Sequence, residues 1–317
     1  MDSHWDCVVV GGGSAGLSAA LVLGRARRRT LLLDAGEQSN LAAAGVGGLL
    51  GHDGRPPAEL YEVGRGEIAA YPSVEVRLGE TVRDARRVAE GFELGLRDGS
   101  SVSARKVLLA MGMEYRLPEL LGLRERWGGA VFHCPFCHGW EVRGRKLGVL
   151  ASGAGAAQKA ILLGAWSEQV TLLTEAGAGL GAEERAQLDA AGVAVEERPL
   201  KRVEGPGEGL EAVVFRDGSR LALQALLVGV SLHQRSDLAS RLGASFVAGP
   251  LSEETIGVDA GFETEVPGLY AAGDACVSMP SVANAVASGS VAAARMVHAL
   301  MPAAAAGGVS ANQSHSH

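Results

Sequence analysis

The chain has 317 residues, of which 47% are hydrophobic, 21% charged and 4% aromatic, and its formal net charge is -7. That length can bury a substantial core and allows two domains of ordinary size, while the acidic balance excludes a sequence-independent nucleic-acid binder, which needs a basic surface. No apolar run reaches the roughly 18 residues that span a bilayer, and the opening residues, with Asp2 and Asp6 around a short apolar run that passes into glycine, lack a signal-peptide pattern, so a cytoplasmic protein without a membrane partner is expected.

In chain order, residues 7–10 predict a strand, 11–16 a tight turn, 17–24 a helix start and 30–33 a second strand that ends at Asp34. This is a β-α-β unit. Its turn, Gly11-Gly12-Gly13-Ser14-Ala15-Gly16, satisfies G-x-G-x-x-G directly after a strand and at the opening of a helix. The glycines serve a sharp turn, close approach of a pyrophosphate, and packing of helix on strand. Asp34 lies eighteen residues past Gly16, where a carboxylate accepts hydrogen bonds from ribose hydroxyls. Gly11, Gly13, Ser14, Ala15, Gly16 and Asp34 are therefore candidate dinucleotide-binding residues. Residues 39–60 read equally as a surface loop or as a wall of an active site. Strands follow at 74–78, 92–97 and 102–109, with Asp98-Gly99 as a turn.

The segment Cys134-Pro135-Phe136-Cys137-His138 places two thiols on the first turn of a helix, where free N–H groups and the macrodipole favour thiolate and a disulfide can close. In a reducing compartment four cysteines do not make a disulfide scaffold, so the close pair reads as redox-active or metal-binding. Zinc would need a fourth ligand and a second spaced pair, and neither is present, so no metal is expected. Cys7 and Cys276 read as small buried apolar residues. His138 is the leading acid or base for thiol exchange and His133 the second candidate. Phe136 and Trp140 read as packing residues, or alternatively as a wall for an apolar disulfide.

A second β-α-β rhythm follows, with strands at 146–150 and 169–174 around a helix at 158–166. Its turn, Ala151-Ser152-Gly153-Ala154-Gly155-Ala156, has lost the first glycine and ends in alanine, which makes the tight turn less comfortable. Glu175, after the second strand, would repel a 2′-phosphate and tolerate a free ribose hydroxyl. Short strands at 211–215 and 220–223 flank Asp217-Gly218. The tail from Met301, with His315 and His317, is too simple in composition to pack and is expected to be disordered.

Residues 264–274 (TEVPGLYAAGD) and 281–293 (SVANAVASGSVAA) resemble the thioredoxin reductase family of two-dinucleotide-binding-domain flavoproteins, and the likeness runs from Asp6 to about Leu300. The resemblance implies an α/β fold with two Rossmann-like domains: a discontinuous FAD domain, 1–113 and 244–317, and an inserted NAD(P)-binding-like domain, 114–243, that carries the cysteine pair. It also implies noncovalent FAD and a homodimer. Gly273 and Asp274 would hold the ribityl and pyrophosphate region, and the amides at Val282 and Ala283 would face the flavin. Asn40 matches a position near the cofactor. Gly112 closes a segment that usually reads Ala-Thr-Gly and here reads Ala110-Met111-Gly112.

By the same resemblance Cys137 faces the flavin and Cys134 exchanges with substrate. Ordinary thioredoxin reductases carry an acidic residue where this chain has His138, and CPFCHGWE looks more like the small-molecule dithiol oxidases of the gliotoxin and holomycin type. The family's His-Arg-Arg cluster for NADPH is missing, with no arginine until Arg185, so NADPH is disfavoured; the second turn either takes NADH or is vestigial. The expected activity is oxidation of a small dithiol to a disulfide through Cys134, Cys137 and FAD, with oxygen as acceptor. An NADH-dependent reductase of a thioredoxin-like protein is the alternative, and a non-catalytic flavin-bearing redox sensor is the alternative of another class.

Overall fold

The computed structural model describes residues 4–174 and 179–302. Glu175, His315 and His317 lie outside the described residues. Two compact units emerge: one takes the chain up to Gln38, Tyr61–Glu114 and the residues from His233 onward, and the other takes Ser39–Leu60 and Tyr115–Leu232.

The first unit is built on a seven-stranded sheet. Strands Val74–Leu78, Thr30–Asp34, His4–Val10 and Ser101–Leu109 run parallel in that spatial order. The far edge of Ser101–Leu109 is shared. Its first half pairs antiparallel with Gly91–Leu96, which continues to Val82–Val88, and its last residues pair parallel with Leu269–Ala271, Val107 standing opposite Leu269. Strand Thr30–Asp34 and the end of His4–Val10 are covered on both faces, which is why Leu31 to Leu33 and Val8 to Val10 read as unbroken apolar runs. Val8, Val10, Leu31 and Leu33 point to one core. Cys7, Val9 and Leu32 point to the other, beneath helices Ser14–Arg25 and Val282–Ala299. Cys7 is fully buried, as its apolar neighbourhood in the sequence suggested, and burial pushes its thiol up to about 12. Cys276, read as buried, is only partly so, although desolvation and then Asp274 push its thiol up to about 12.

The second unit carries a five-stranded parallel sheet in the order Ala194–Glu196, Val170–Leu173, Leu147–Leu150, Ala225–Val228, Val131–Phe132. An antiparallel trio, Leu200–Glu204, Ala212–Phe215 and Arg220–Ala222, packs its apolar side into the same unit. A charge is buried here: Arg126, 8% exposed, donates from Nε to the Gly209 carbonyl at 2.8 Å, from Nη1 to Gly122 at 2.9 Å and from Nη2 to Gly205 at 2.5 Å. A buried guanidinium is tolerated only when its donors are used in this way. Among the described residues no helix is long and apolar enough to cross a membrane.

Candidate functional site

In the first unit the chain leaves strand His4–Val10, turns at Gly11 and enters the helix at Ser14. Gly11 has φ +108°, and a Cβ there would overlap the Ala110 carbonyl oxygen, so only glycine fits. Gly13 is the N-cap, no side chain caps the helix, and no acidic residue stands in its first turn. The opening amides are thus left for an anion. The Ser14 hydroxyl adds to them, since its oxygen is buried without a hydrogen-bond partner. Gly16 packs against the Gly11 carbonyl, and the Ala15 carbonyl rests where a Cβ on Gly289 of the closing helix would lie.

Asp34, 3% exposed, lies at the end of its strand against Gly12. Its carboxylate accepts the Gly36 amide at 2.9 Å and Gln38 Nε2 at 2.9 and 3.2 Å. A carboxylate has about four lone-pair sites, so these donors leave room for ribose hydroxyls.

The same unit brings the distant Gly-Asp pair to this turn. Gly273, at φ +72°, donates its amide to Ser288 Oγ at 2.9 Å and approaches the Ala15 side chain. Asp274 follows it in a short 3-10 turn, Gly273–Ala275. At the start of helix Val282–Ala299, Ser281 Oγ accepts the Asn284 amide, so the cap serves the third amide of the helix and not those of Val282 or Ala283. Met111, the residue that departs from the Ala-Thr-Gly pattern, accepts a bond from Ser236 Oγ at its sulfur, 3.4 Å away. Gly112, at φ +65°, follows. Gln234, which sequence reading did not single out, donates to the Ala275 carbonyl at 3.2 Å and leaves its own Oε1 buried and unpartnered. Its only sequence signal was a polar residue in a short strand. Donors at a helix start, an orphaned hydroxyl, an acidic strand end and space that only glycine leaves open together fit a dinucleotide.

Replacing Ser14 with alanine should therefore weaken FAD binding roughly ten- to a hundredfold, the usual worth of a hydrogen bond to a charged group. It should not lower the melting temperature of the FAD-free protein, because the hydroxyl bonds to nothing there. Titration of stripped protein with FAD, together with a melt of the apoprotein, checks both halves.

The cysteine pair lies in the second unit. Cys134 and Cys137 are joined by a disulfide with Cα atoms 5.3 Å apart. Cys134 is the N-cap of helix Pro135–His138, Pro135 takes the first helical position where its missing N–H costs nothing, and the Cys134 carbonyl accepts the amides of Cys137 and His138, each at 3.2 Å. The helix is only four residues long, so its macrodipole is smaller than the sequence suggested; the local amides count for more.

His138 stacks on Phe132, ring centroids 5.6 Å apart, and both of its ring nitrogens are buried with no well-formed hydrogen bond. Burial lowers its pKa, opposed by Glu141 and by the nearby Cys134 and Gly128 carbonyls. Burial thus favours the neutral imidazole, the form that can accept a proton. His133 packs differently, 4.8 Å from the Tyr115 ring and stacked 5.6 Å from Trp127, and burial, then His138, pulls it down to about 4.

Because the unfolded chain protonates His133 near the ordinary 6.5 while the fold resists until about 4, stability should rise with pH across that window. The contribution, about 3 kcal/mol, is complete above 6.5 and lost as pH falls through 4. Urea midpoints at pH 4.5 and 7.5 should differ less in a His133→Phe variant than in the native protein.

Phe136 and Trp140 are 67% and 65% exposed, which corrects the expectation that both pack. Phe136 meets Trp166 edge-on at 5.5 Å, and the Arg143 guanidinium lies 3.8 Å above the Trp140 ring. Large apolar rings thus stand at the surface on either side of the second cysteine in the chain. Asn40 belongs to the same unit as the disulfide, and its carbonyl accepts the Ala43 amide at 3.0 Å.

The second glycine turn differs from the first in a way that matters. Three residues separate strand from helix at the first turn, but five do so here, 151–155, because the helix begins only at Ala156 after a left-handed Gly155. Gly153 and Gly155 need their positive φ but face open space, since a Cβ on either would have no neighbour within 4 Å. The helix start is drawn back from the strand end, so the cradle is looser.

The family model "Pyridine nucleotide-disulphide oxidoreductase" matches residues 5–289. Thioredoxin reductase tcpT of Claviceps purpurea (strain 20.1) is 32% identical over 297 residues, covering 90% of this chain and 91% of its own. Among solved structures, an oxidoreductase from Agrobacterium tumefaciens is 38% identical with a TM-score of 0.87, covering 93% of this chain and 97% of its own. The structure of HlmI is 36% identical with a TM-score of 0.88, covering 95% and 93%.

Proposed function

From the fact that this chain belongs to the pyridine nucleotide-disulphide oxidoreductase family, we propose that it oxidises a small dithiol to a disulfide, with FAD and oxygen taking the electrons. The observation that carries this reading is the Cys134–Cys137 disulfide followed directly by His138, whose pKa is lowered by burial.

A substrate thiol, deprotonated by His138, attacks Cys134; the bond between Cys134 and Cys137 breaks and Cys137 leaves as thiolate. The second substrate thiol then attacks its own sulfur in the mixed disulfide, so the substrate departs as a disulfide and the protein keeps two thiols. FAD, when bound, would supply the two-electron acceptor for that pair and its route to oxygen, with peroxide as the product. Gly11, Gly13, Ser14, Ala15, Gly16, Asp34, Gly112, Gly273 and Asp274 would hold the cofactor, with Val282 and Ala283 beside its flavin end. Exposed Phe136 and Trp140 favour a flat apolar substrate. The loosened second turn favours a vestigial nucleotide site over NADH. A homodimer in the cytoplasm completes the reading.

The test is to mix oxidised protein, without oxygen, with NADH, NADPH and dithiothreitol separately and to follow flavin absorbance. Fast bleaching by dithiothreitol alone, with many turnovers once air is admitted, is expected. Faster bleaching by NADH would replace the proposal with the reductase reading, and bleaching without turnover in air would leave a sensor.

A further inference from the structure

Residues Ser39–Leu60, which sequence reading left as loop or active-site wall, form a strap closed on itself. The Val46 amide donates to the Arg55 carbonyl at 2.9 Å, the Gly54 amide to the Val46 carbonyl at 2.8 Å, and the Gly48 amide to Asp53 Oδ1 at 2.8 Å. Val46 is 3% exposed. The strap rests on the redox turn and the residues leading into it at two points, both backbone against backbone. A Cβ on Gly128 would meet the Ala42 carbonyl oxygen at 2.5 Å, and one on Gly47 would meet the Cys137 carbonyl oxygen at 2.5 Å and the Cys137 Cα at 3.2 Å. Neither contact can relax by turning a side chain. Gly47 is not in the left-handed region; what requires glycine there is the closeness of Cys137. Gly48 beside it shows the opposite, with φ +77° and no atom within 4 Å.

Resting on the reading of Cys134 and Cys137 as the exchanging pair, we propose that Gly47 is a positioning residue for Cys137: the strap holds the main chain of the second cysteine, and with it the sulfur that closes and reopens the disulfide. The substrate-facing Cys134 precedes the helix, and a Cβ on any glycine of the strap would not count it among its nearest neighbours. Moving Cys137 should therefore slow electron transfer within the protein without weakening the encounter with substrate.

The experiment compares Gly47→Ala, Gly48→Ala and the native holoenzyme. Anaerobic flavin bleaching is measured over a range of dithiothreitol concentrations, and alkylation of Cys134 and Cys137 by iodoacetamide is measured by mass after phosphine reduction. Gly47→Ala should lower the maximal bleaching rate at least about tenfold, keep the half-saturating dithiothreitol concentration within about twofold, and raise Cys137 labelling relative to Cys134 at least about threefold. Gly48→Ala, which strains the same strap without touching Cys137, should stay within about twofold of native in all three.

Equal losses in both variants, native behaviour of Gly47→Ala, or a change confined to the half-saturating concentration would overturn the proposal. If Gly47→Ala does not fold, Asp53→Ala takes its place. Unlike Gly48→Ala, which keeps the amide that Asp53 accepts, it releases the strap next to Gly47 without adding an atom and should shift the Cys137 labelling ratio in the same direction as Gly47→Ala; an unchanged ratio overturns the proposal. A native protein that dithiothreitol cannot bleach would instead sink the dithiol reading itself.

Discussion

Cys134→Ser should give a folded, yellow protein whose dithiol oxidation has fallen at least about a thousandfold, the scale expected when a reacting atom is removed. The fold should survive because Cys134 is the N-cap of its helix and its side chain makes no capping bond, while serine is among the preferred N-caps. Flavin content should be unchanged, since the glycine cradle belongs to the other unit. Cys137→Ser should lose turnover to the same extent but keep a reactive Cys134, so an added small disulfide should be captured at Cys134 as one mixed-disulfide equivalent, read by mass. Capture by Cys134→Ser and not by Cys137→Ser would reverse the assigned roles.

Gly11→Ala should yield protein without flavin. Two penalties act together: φ of +108° disfavours any side chain, and the new methyl overlaps the Ala110 carbonyl oxygen. That carbonyl belongs to the backbone just after strand Ser101–Leu109, whose neighbour His4–Val10 leads into the turn, so relief requires prying apart two central strands. An affinity loss of at least about a hundredfold, with a melting temperature several degrees lower, follows from a cost of about 3 kcal/mol or more. Flavin retention on gel filtration and a melt of the apoprotein measure the two effects. A fully loaded Gly11→Ala protein would show that the turn does not approach the cofactor as argued.

Strands His4–Val10 and Thr30–Asp34 were legible because their apolar runs, Val8 to Val10 and Leu31 to Leu33, are closed by the glycine turn and by Asp34. Strand Val82–Val88 was not, because five of its seven residues are exposed and its arginines read as surface. Strand Ala225–Val228 was missed for the opposite reason: four buried residues in a row carry no period that separates a strand from a core helix.

At the site, the glycine fingerprint and the cysteine pair were readable as motifs. The exposure of Phe136 and Trp140 was not, because large rings pack in most settings and the outward direction of these two is set by the backbone of one short helical turn and the residues just after it. The contact of Gly47 with Cys137 joins residues ninety apart (137 − 47 = 90), and only the folded chain reveals it. Arg126 was equally silent, since its partners are carbonyls, which have no letter in a sequence.

The parallel pairing of Leu269 with Val107 has a bearing on biosynthesis. The central strand waits for a neighbour encoded 162 positions later (269 − 107 = 162). At a ribosomal pace of about 5–20 residues per second, that interval is roughly 10–30 s. During it one edge of the nascent sheet stands unpaired, open to chaperones or to neighbouring chains. The sheets of the intervening unit, whose strands come from residues 115–232, are synthesised in full before that edge is closed.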